Sequence, residues 1–206
     1  MWHREGDGGS RVSDPHHRQA HRRRGLCVCR AEDEEHLDTW VPHLHGANAM
    51  KWVTREHAKV DRIACPWLIR KFVDPQAEFF FVPSDRVMAV AKEKGAIAFD
   101  AAGAELTHYK EGGKDYVSFD AIIRKHGLKD PALLEMAKIV RGADARIPDP
   151  PAEAAGLEAA ASGFRVIAKD DSENMKIQFP LYDALYEYCR GRLAGTVKLE
   201  HSKPGS

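Results

Sequence analysis

The chain has 206 residues, of which 43% are hydrophobic and 30% charged, as is typical of a soluble protein with one domain and, at most, a tail. Its 31 basic and 31 acidic side chains give a formal net charge of zero, which disfavours a nucleic-acid-binding protein because phosphate contacts need a basic surplus. The sequence has no run of roughly 18 apolar residues and no secretory signal, and its four cysteines are too few for a disulfide scaffold, so a cytoplasmic protein is expected.

The first 49 residues differ in composition from the rest of the chain. They hold seven of the eleven histidines and seven arginines, but no Lys, Ile, Phe or Tyr. With so few large apolar side chains, the segment cannot bury enough surface to offset its ordering entropy. Residues 1–49 are therefore predicted to be a disordered extension. An alternative is that translation starts at Met50 and that the upstream part is an artefact of gene annotation.

Two functional interpretations of residues 1–49 stay open beside disorder. Tracts rich in histidine and cysteine can bind metal, and this segment offers several such side chains (His3, His16, His17, His21, Cys27 and Cys29). The Cys-x-Cys spacing is not the usual spacing of zinc ligands. The basic run from His21 to Arg24 could contact phosphate, but it is short.

The elements predicted for the first half of the patterned sequence are, in chain order, a strand at 51–54, a helix at 57–73, a strand at 77–82 and a helix at 85–94. The second strand reads AEFFFV and is short, aromatic and bounded by prolines. Ser84 is expected to cap the helix that follows, and Gly95 to end it.

The elements predicted for the second half are strands at 96–99 and 105–109 and helices at 118–126, 131–141, 152–167 and 173–193. Ser118 is expected to cap the first of these helices, and Asp130-Pro131 is an N-cap followed by a first-position proline. Gly142 is expected to stop the helix at 131–141. Short, unevenly spaced strands predict an α+β fold, mostly helical, with a small sheet in the first half of a domain over residues 50–200.

His57, Asp61 and Cys65 recur at intervals of four residues within one predicted helix. Residues four apart share a helix face, so a stacked imidazole, carboxylate and thiol could bind a transition metal or act as nucleophile and base. Pro66 lacks a backbone N–H and its ring opposes the carbonyl of Arg62, so a kink or a new helix start is predicted there. The alternative is that Asp61 pairs with a basic neighbour on a solvated face and Cys65 is a small buried hydrophobe.

Further candidate ligands are spread along the chain. His108 ends a predicted strand, where a sheet edge can meet a cleft, and Asp144 follows a predicted helix stop. Arg62, Arg70 and Arg141 carry guanidinium groups that can bind an oxyanion with two hydrogen bonds. Each has a simpler interpretation: Asp144 could be a local helix cap, and the arginines could be exposed side chains on helices.

Five blocks occur in order along the patterned sequence: KWVTREHAKVDRIACPWLIRKFVDPQAEFFFVP, ELTHY, FDAIIRKHGLKDPAL, IVRGADA and LYDALYEYCR. Together they resemble the C-terminal domain of the chromate-resistance protein ChrB. The resemblance runs from about Met50 to Leu193. The first block is the most specific, and the resemblance does not include residues 1–49.

This resemblance implies a cytoplasmic protein linked to chromate resistance, and in some members chromate-responsive regulation of a resistance operon. Longer members carry an additional N-terminal domain, which residues 1–49 do not match in length or composition. With a net charge of zero as well, binding of duplex DNA by this chain is not expected. The family frequently has a histidine at the position of Arg141, so the resemblance also implies weaker metal binding here, or an anion instead.

Three hypotheses follow for the function. The first is a sensing or binding domain that holds a divalent transition metal or a chromate-like oxyanion. The second is a metal- or thiol-dependent enzyme of reductive detoxification, for which an accessible thiol of low pKa at Cys65 would be needed. The third is an interaction domain with no small ligand.

The predicted site for the first two hypotheses has two groups of side chains. One group supplies metal ligands through imidazole nitrogen and carboxylate oxygen: His57, Asp61, His108 and Asp144. The other group binds an oxyanion or orients those ligands: Arg62, Cys65 and Arg141. Convergence of the first group in one pocket would separate this site from a coincidental four-residue spacing.

Overall fold

The computed structural model describes residues 49–145 and 147–198. These residues form six α-helices, one 3₁₀ turn and five strands, in the order β1 (Lys51–Arg55), α1 (Val60–Phe72), β2 (Glu78–Val82), the 3₁₀ turn (Ser84–Arg86), α2 (Val87–Lys94), β3 (Ile97–Ala98), β4 (Tyr109–Glu111), β5 (Lys114–Tyr116), α3 (Ser118–Lys125), α4 (Pro131–Asp144), α5 (Glu153–Ile167) and α6 (Asp171–Leu193). The predicted α+β class, mostly helical with a small early sheet, is confirmed. None of the described helices is long and apolar enough to cross a membrane. The predicted extension and its candidate metal-binding side chains fall on residues 1–48, which lie outside the described residues.

The main sheet has three parallel strands in the order β2-β1-β3, so β1 is central. Trp52 of β1 is aligned with Phe79 of β2 and with Ile97 of β3. Parallel neighbours need a long crossover connection, and α1 connects β1 to β2 while α2 connects β2 to β3. Because the three strands run in one direction, their carboxyl ends meet at one edge, where ligand sites of parallel sheets usually lie.

Successive side chains of β1 point into two different cores. Trp52 is fully buried in the main core, whereas Val53 packs in a smaller cluster with Val87 and Val90 of α2. The helix α1 is buried along most of its length because α3, α4, α5 and α6 pack around it. Its Trp67 is 2% exposed, and burial of an aromatic side chain of this size contributes roughly 4–6 kcal/mol before the entropy of ordering is subtracted.

The start of α1 differs from the prediction. The helix begins at Val60, and His57 lies before it with a left-handed backbone φ of 60°. The backbone N–H groups of His57 and Ala58 donate to the two carboxylate oxygens of Asp171, both at 2.7 Å. These two hydrogen bonds hold the 57–58 segment outside the helix, so His57 cannot share a helix face with Asp61.

One of the two alternatives predicted at Pro66, the start of a new helix, is wrong. The helix α1 runs without interruption through Pro66 to Phe72, so no second helix starts at the proline. A proline removes one backbone hydrogen bond and costs about 3 kcal/mol in a helix interior. Packing of four helices around α1 outweighs that cost. Helix propensity calculated from the sequence does not include this packing.

The end of α4 is a further difference. The helix continues through Gly142 to Asp144, although a stop at Gly142 was predicted. A Cβ atom at this glycine would lie 2.9 Å from Ala154 Cβ and 3.0 Å from Pro150 Cβ. The glycine therefore permits the close approach of the chain around the start of α5, and does not end a helix. As a result, Asp144 occupies the last turn of α4 rather than a loop.

Local signals elsewhere give a mixed outcome. Gly95 ends α2 with φ of 60°, and Asp130 caps α4 by accepting the N–H of Leu133, both as predicted. The predicted strand at 105–109 contributes only an isolated bridge between residues 99 and 106, and β4 starts at Tyr109. Ser118 is the first residue of α3 and not its cap, and Ser84 makes no capping hydrogen bond through its side chain.

Candidate functional site

Four chain segments bring titratable side chains together at the carboxyl edge of the main sheet. Asp61 lies in the first turn of α1, Asp100 follows β3, His108 precedes β4 and Asp144 ends α4. We call these four side chains the carboxylate cluster. Asp61 and Asp100 are 1% and 6% exposed, whereas the His108 side chain is 42% exposed. The cluster therefore opens to solvent on the side of the histidine.

The ring of His108 is at the centre of the carboxylate cluster. Its Nε2 atom lies 3.5 Å from Asp61 Oδ2, 3.4 Å from Asp100 Oδ1 and 3.4 Å from Asp144 Oδ2. A hydrogen bond from a ring N–H to oxygen is usually about 2.7–3.2 Å long, and one N–H points at one acceptor. Three nearly equal distances of this length are therefore not the geometry of an ordinary histidine–aspartate hydrogen bond.

Asp61 is held by three donors in addition to its contact with His108. Its Oδ2 accepts the backbone N–H of Ser118 at 2.9 Å and its Oδ1 accepts that of Phe119 at 3.0 Å. These two N–H groups belong to the buried first turn of α3, where backbone N–H groups have no partners within their own helix. The Cys65 thiol donates to Oδ1 at 3.5 Å. The carboxylate is thus fixed in place, and Oδ2 keeps a lone pair that can face His108.

Asp100 is oriented by two arginines. Arg55 donates from Nε to the Asp100 carbonyl at 2.7 Å and from Nη2 to Oδ2 at 2.8 Å. The Nε of Arg62 lies 3.1 Å from the same Oδ2 atom. These contacts leave Oδ1 facing His108 and the Ser118 hydroxyl, which donates to it at 3.4 Å. Asp100 itself has a left-handed φ of 46°, an uncommon conformation for a residue other than glycine.

Asp100 was not among the sequence-predicted ligands. It directly follows Phe99 after the short strand β3 and therefore lies at the carboxyl edge of the parallel sheet. Acidic side chains at that edge are common ligands in parallel-sheet proteins. The signal was present in the sequence FDAAG, but it could be used only once β3 was known to pair in parallel with β1.

Asp144 connects the end of α4 to the cluster. Its Oδ1 accepts the backbone N–H of Asp61 at 3.3 Å, and its Oδ2 faces His108. Burial, followed by repulsion from Asp61, raises the pKa of Asp144 to about 6. Burial and repulsion from Asp61 also raise the pKa of Asp100, against the opposing effect of Arg55. The neighbouring Asp61 carboxylate, acting against the effect of burial, raises the pKa of His108 above its usual value.

Three of the four sequence-predicted metal ligands converge, and one does not. Asp61, His108 and Asp144 meet as expected, with Asp100 as the fourth member of the cluster. The His57 side chain is 72% exposed, and its Nε2 lies 3.8 Å from Glu56 Oε1. The predicted pairing of His57 with Asp61 on one face of α1 is therefore wrong, because the helix starts three residues after His57.

Of the arginines predicted to bind an oxyanion or to orient ligands, one contacts the carboxylate cluster and the other does not. Arg62 reaches Asp100 of the cluster, as described above. Arg141 donates two hydrogen bonds to Asp120, at 3.1 and 2.6 Å, and its guanidinium lies 4.4 Å from the ring centre of Tyr116. Its positive charge is therefore compensated by Asp120 rather than directed at the cluster.

Cys65 lies beside the cluster as a thiol. It is fully buried, and burial, followed by repulsion from Asp61 and Asp100, raises the pKa of its thiol well above the usual value. A protonated, inaccessible sulfur is a poor nucleophile and a poor metal ligand. The i to i+4 spacing of Asp61 and Cys65 does bring the two side chains together, as the predicted helix face required.

The cluster has the donor set and spacing that a metal ion needs. Ligand atoms at about 2.0–2.2 Å from one ion lie roughly 2.8–3.6 Å apart, the lower values for an octahedral and the higher for a tetrahedral arrangement. The distances from His108 to the three carboxylates are 3.4–3.5 Å. Ligand atoms of Asp61, Asp100 and His108 all lie within 4.8 Å of one another, so small side-chain movements would bring them to a common ion. The residues present therefore fit a metal.

The charge balance also suits a cation. Three carboxylates face the two guanidinium groups of Arg55 and Arg62, so the cluster keeps an excess negative charge while His108 is neutral. Two species can compensate that charge, a proton on His108 or a divalent cation bound by all four side chains. These two occupants compete, because a metal ligand must be deprotonated.

Two cavities flank this edge of the sheet. A cavity of about 510 Å³ is lined by His108 together with residues of the segment before β4, of β4 and of α3 (Glu105, Leu106, Thr107, Tyr109, Ala121, Arg124 and Lys125). A second cavity of about 500 Å³ is lined by His57 together with its neighbour Glu56, one residue of β2, the end of α5 and the segment that leads into α6 (Phe81, Arg165, Ala168, Lys169, Asp170, Asp171, Ser172 and Asn174). Only the first of these two cavities includes a member of the carboxylate cluster.

Comparison with known proteins gives one family. The model of the ChrB C-terminal domain matches residues 52–189, which include all members of the carboxylate cluster. The chain is 36% identical over 140 residues to Protein ChrB of Cupriavidus metallidurans, a match covering 67% of this chain and 40% of that relative. The chain thus spans well under half of the curated relative's length. No solved structure gives a significant match.

Proposed function

We propose, since the chain belongs to the family of the ChrB C-terminal domain, that it acts in chromate resistance as a domain that binds one divalent metal ion. The ligands are Asp61, Asp100, His108 and Asp144. The match covers only part of the curated relative, so the role is proposed for this domain and not transferred from the whole protein. Its place of action is expected to be the cytoplasm.

One observation carries the metal proposal. A single nitrogen of His108 lies at nearly equal distances, 3.4–3.5 Å, from oxygens of three aspartates that are far apart in sequence. Placing three carboxylates so close together, with Asp61 and Asp100 buried, is unfavourable unless cations compensate them. A divalent ion bound among Asp61, Asp100 and His108, with Asp144 beside His108, would supply two positive charges to compensate them.

The donor set indicates the class of metal. Three carboxylates and one imidazole form an oxygen-rich site, and such a donor set suits manganese or ferrous iron. Copper(I) and zinc are instead selected by sites rich in thiolate. The nearby sulfur of Cys65 is protonated and donates to Asp61, so it does not change this preference. Mn²⁺ and Fe²⁺ are therefore the ions whose preferred ligand types match this site, and Mn²⁺ is the probe for testing it.

The alternative ligand, a chromate-like oxyanion, has less support at the same position. Three carboxylates would repel a dianion, and the arginines proposed to hold it are already paired. Arg62 contacts Asp100, Arg141 contacts Asp120 and Arg70 donates to the carbonyl of Ala77. A thiol-based enzyme also has little support, since Cys65 is buried and protonated. A metal-dependent enzyme remains the second candidate, favoured by the cavity that opens beside His108.

Metal titration of the full chain tests the proposal. The purified protein, freed of metal by chelation, would be titrated with Mn²⁺ in a calorimeter and its metal content measured by elemental analysis. Residues 1–49 contain seven histidines, so the decisive quantity is the difference between variants rather than the total stoichiometry. Asp144→Asn should remove one high-affinity equivalent. Glu135→Gln, an exposed carboxylate of the same helix, should retain it.

Equal stoichiometry and affinity in wild type and Asp144→Asn would refute the metal site. Circular dichroism and urea unfolding of each variant would confirm that the fold is kept, because Asp144 is 22% exposed and its loss opens no cavity in the core.

A further inference from the structure

A β-hairpin connects two parts of the carboxylate cluster. His108 immediately precedes β4, and Ser118 follows β5 by two residues. The two strands pair in antiparallel fashion around a turn at Gly112-Gly113, where both glycines have positive φ. We call residues 109–116 the arm. One end of the arm presents the His108 ring to Asp61, and the other end leads to the Ser118 N–H that donates to the same carboxylate.

Stacked aromatic and guanidinium groups hold the arm together. Tyr109 and Tyr116 face each other across the strands with ring centres 4.8 Å apart and planes within 7°. The Arg124 guanidinium lies 5.6 Å from the centre of Tyr109, and that of Arg141 lies 4.4 Å from the centre of Tyr116. The turn and most of the charged residues of the strands are exposed, whereas Tyr109 at the base of the arm packs against the main core.

A second contact ties the base of the arm to α4. Arg141 donates to both oxygens of Asp120, and Asp120 Oδ2 also accepts the N–H of Val117. The amides of three consecutive residues are therefore bound by carboxylates: Val117 by Asp120, and Ser118 and Phe119 by Asp61. Arg141 lies one turn before Asp144 in α4, so the same helix supplies a cluster ligand and the anchor of the arm.

We propose that the arm is the metal-responsive element of this protein: a bound ion fixes it at both ends, and metal release allows it to open. The inference rests on the proposed metal site. Without an ion, His108 has only contacts of 3.4–3.5 Å to the cluster, and three carboxylates repel one another around it. With an ion, the arm cannot leave the cluster without breaking a metal–nitrogen bond. Metal occupancy is thereby transmitted to the exposed turn of the arm at Gly112-Gly113.

Hydrogen exchange of the wild-type chain measures this coupling directly. If opening of the arm requires loss of the ion, exchange at Val117, Ser118 and Phe119 slows by the factor 1 + [Mn²⁺]/Kd, about 100-fold at 100 times Kd. The amides of Ala194 and Gly195 serve as the internal control, since they bond only to carbonyls at the end of α6. Their exchange should not change with metal.

A variant of the anchor tests the same coupling from the other side. Arg141→Met removes both hydrogen bonds to Asp120 and should lower Mn²⁺ affinity by roughly tenfold, as is usual for residues that orient metal ligands. It should also speed exchange at Val117 in the metal-free protein. Lys138→Met is the matched control on α4, because Lys138 pairs only with the exposed Glu135. Unchanged affinity in Arg141→Met would contradict the anchoring role.

The outcomes separate this inference from the metal proposal. Mn²⁺ binding with metal-dependent protection at Val117, Ser118 and Phe119 supports both. Mn²⁺ binding with unchanged exchange at these amides refutes the metal-responsive role of the arm but leaves the proposed metal site intact. Absence of Mn²⁺ binding to the wild-type chain refutes both the proposed function and the metal-responsive role of the arm. The wild-type exchange measurement decides the matter even if Arg141→Met fails to fold.

Discussion

Two histidine–aspartate pairs lie at the same edge of the main sheet and have opposite characters. In the carboxylate cluster, Asp61 is buried and His108 presents its Nε2 to three aspartates. In the second region, both oxygens of Asp171 are taken by backbone N–H groups, and the His57 ring is 72% exposed beside Glu56. We call this second region the His57 segment.

The difference shows what makes a ligand site from common residue types. Asp171 has backbone donors at 2.7 Å on each oxygen, so its role is to hold the chain before α1. Asp61 also accepts backbone donors, yet one of its oxygens still faces the histidine. A histidine and a carboxylate become a candidate site only when the fold orients the ring and leaves acceptor capacity unused.

The strongest contrast between the two regions is expected from their aspartates. Asp61→Asn places an amide donor against the Ser118 or Phe119 N–H and should lower the free energy of unfolding by about 2–4 kcal/mol, with loss of the metal equivalent. Asp171→Asn, partly exposed, should cost about 1 kcal/mol and retain metal binding. Urea unfolding in the presence of a chelator measures the first effect. A larger loss in Asp171→Asn than in Asp61→Asn would invert the comparison.

Variants of the two histidines should differ little in stability but clearly in their affinity for Mn²⁺. His108→Ala removes the one ring nitrogen at the centre of the cluster and should weaken Mn²⁺ binding by about 100-fold or more, the upper range for loss of a group that orients or forms a metal site. His57→Ala should bind Mn²⁺ like wild type, because its ring lies outside the cluster. Calorimetric titration of both variants checks this. Equal loss in the two variants would show that the His57 segment contributes a ligand after all.

Stability against pH should reveal the cluster in the metal-free protein. The pKa of Asp144 is raised to about 6 in the folded state, so folding is favoured at low pH and this contribution is lost as pH rises through 6. The raised pKa of His108 acts in the same direction, its contribution being complete below the unfolded value. Relative to Asp144→Asn, wild type should lose up to about 3 kcal/mol between pH 4 and pH 7. Urea unfolding of both proteins with chelator present gives this difference.

Added metal should reverse that pH trend. Bound Mn²⁺ requires deprotonated ligands, so the stabilisation by metal grows as pH rises through the pKa values of Asp144 and His108. In the metal-free protein, a difference in stability between wild type and Asp144→Asn that does not change with pH would argue against coupling among the carboxylates of the cluster.

The smallest effect is expected at Cys65. Cys65→Ala removes one thiol donor from Asp61 and a small buried volume, and should cost about 1 kcal/mol without changing metal affinity. In the native protein Cys65 should resist alkylation, as mapped by mass spectrometry of peptides after a short exposure to iodoacetamide. Rapid modification of Cys65 would favour the thiol-dependent enzyme instead.

Much of the fold follows from local signals in the sequence. The N-cap Asp130 with Pro131, the stop at Gly95 and the aromatic strand AEFFFV each specify an element through interactions between neighbouring residues. Such signals depend on a few adjacent backbone groups, so they hold unless packing overrides them, as it does at Gly142. The same applies to the family resemblance, which rests on ordered blocks of sequence and was confirmed over residues 52–189.

Within the site, the sequence alone determined that Asp61, Cys65, His108 and Asp144 were candidates, because their residue types and spacing are open to inspection. Only the tertiary structure decided which of them meet. Asp100 joined because β3 pairs in parallel with β1, and His57 was excluded because Asp171, 114 positions away, holds its backbone N–H. Contacts between residues so far apart depend on how helices and strands pack, and no local pattern encodes that packing.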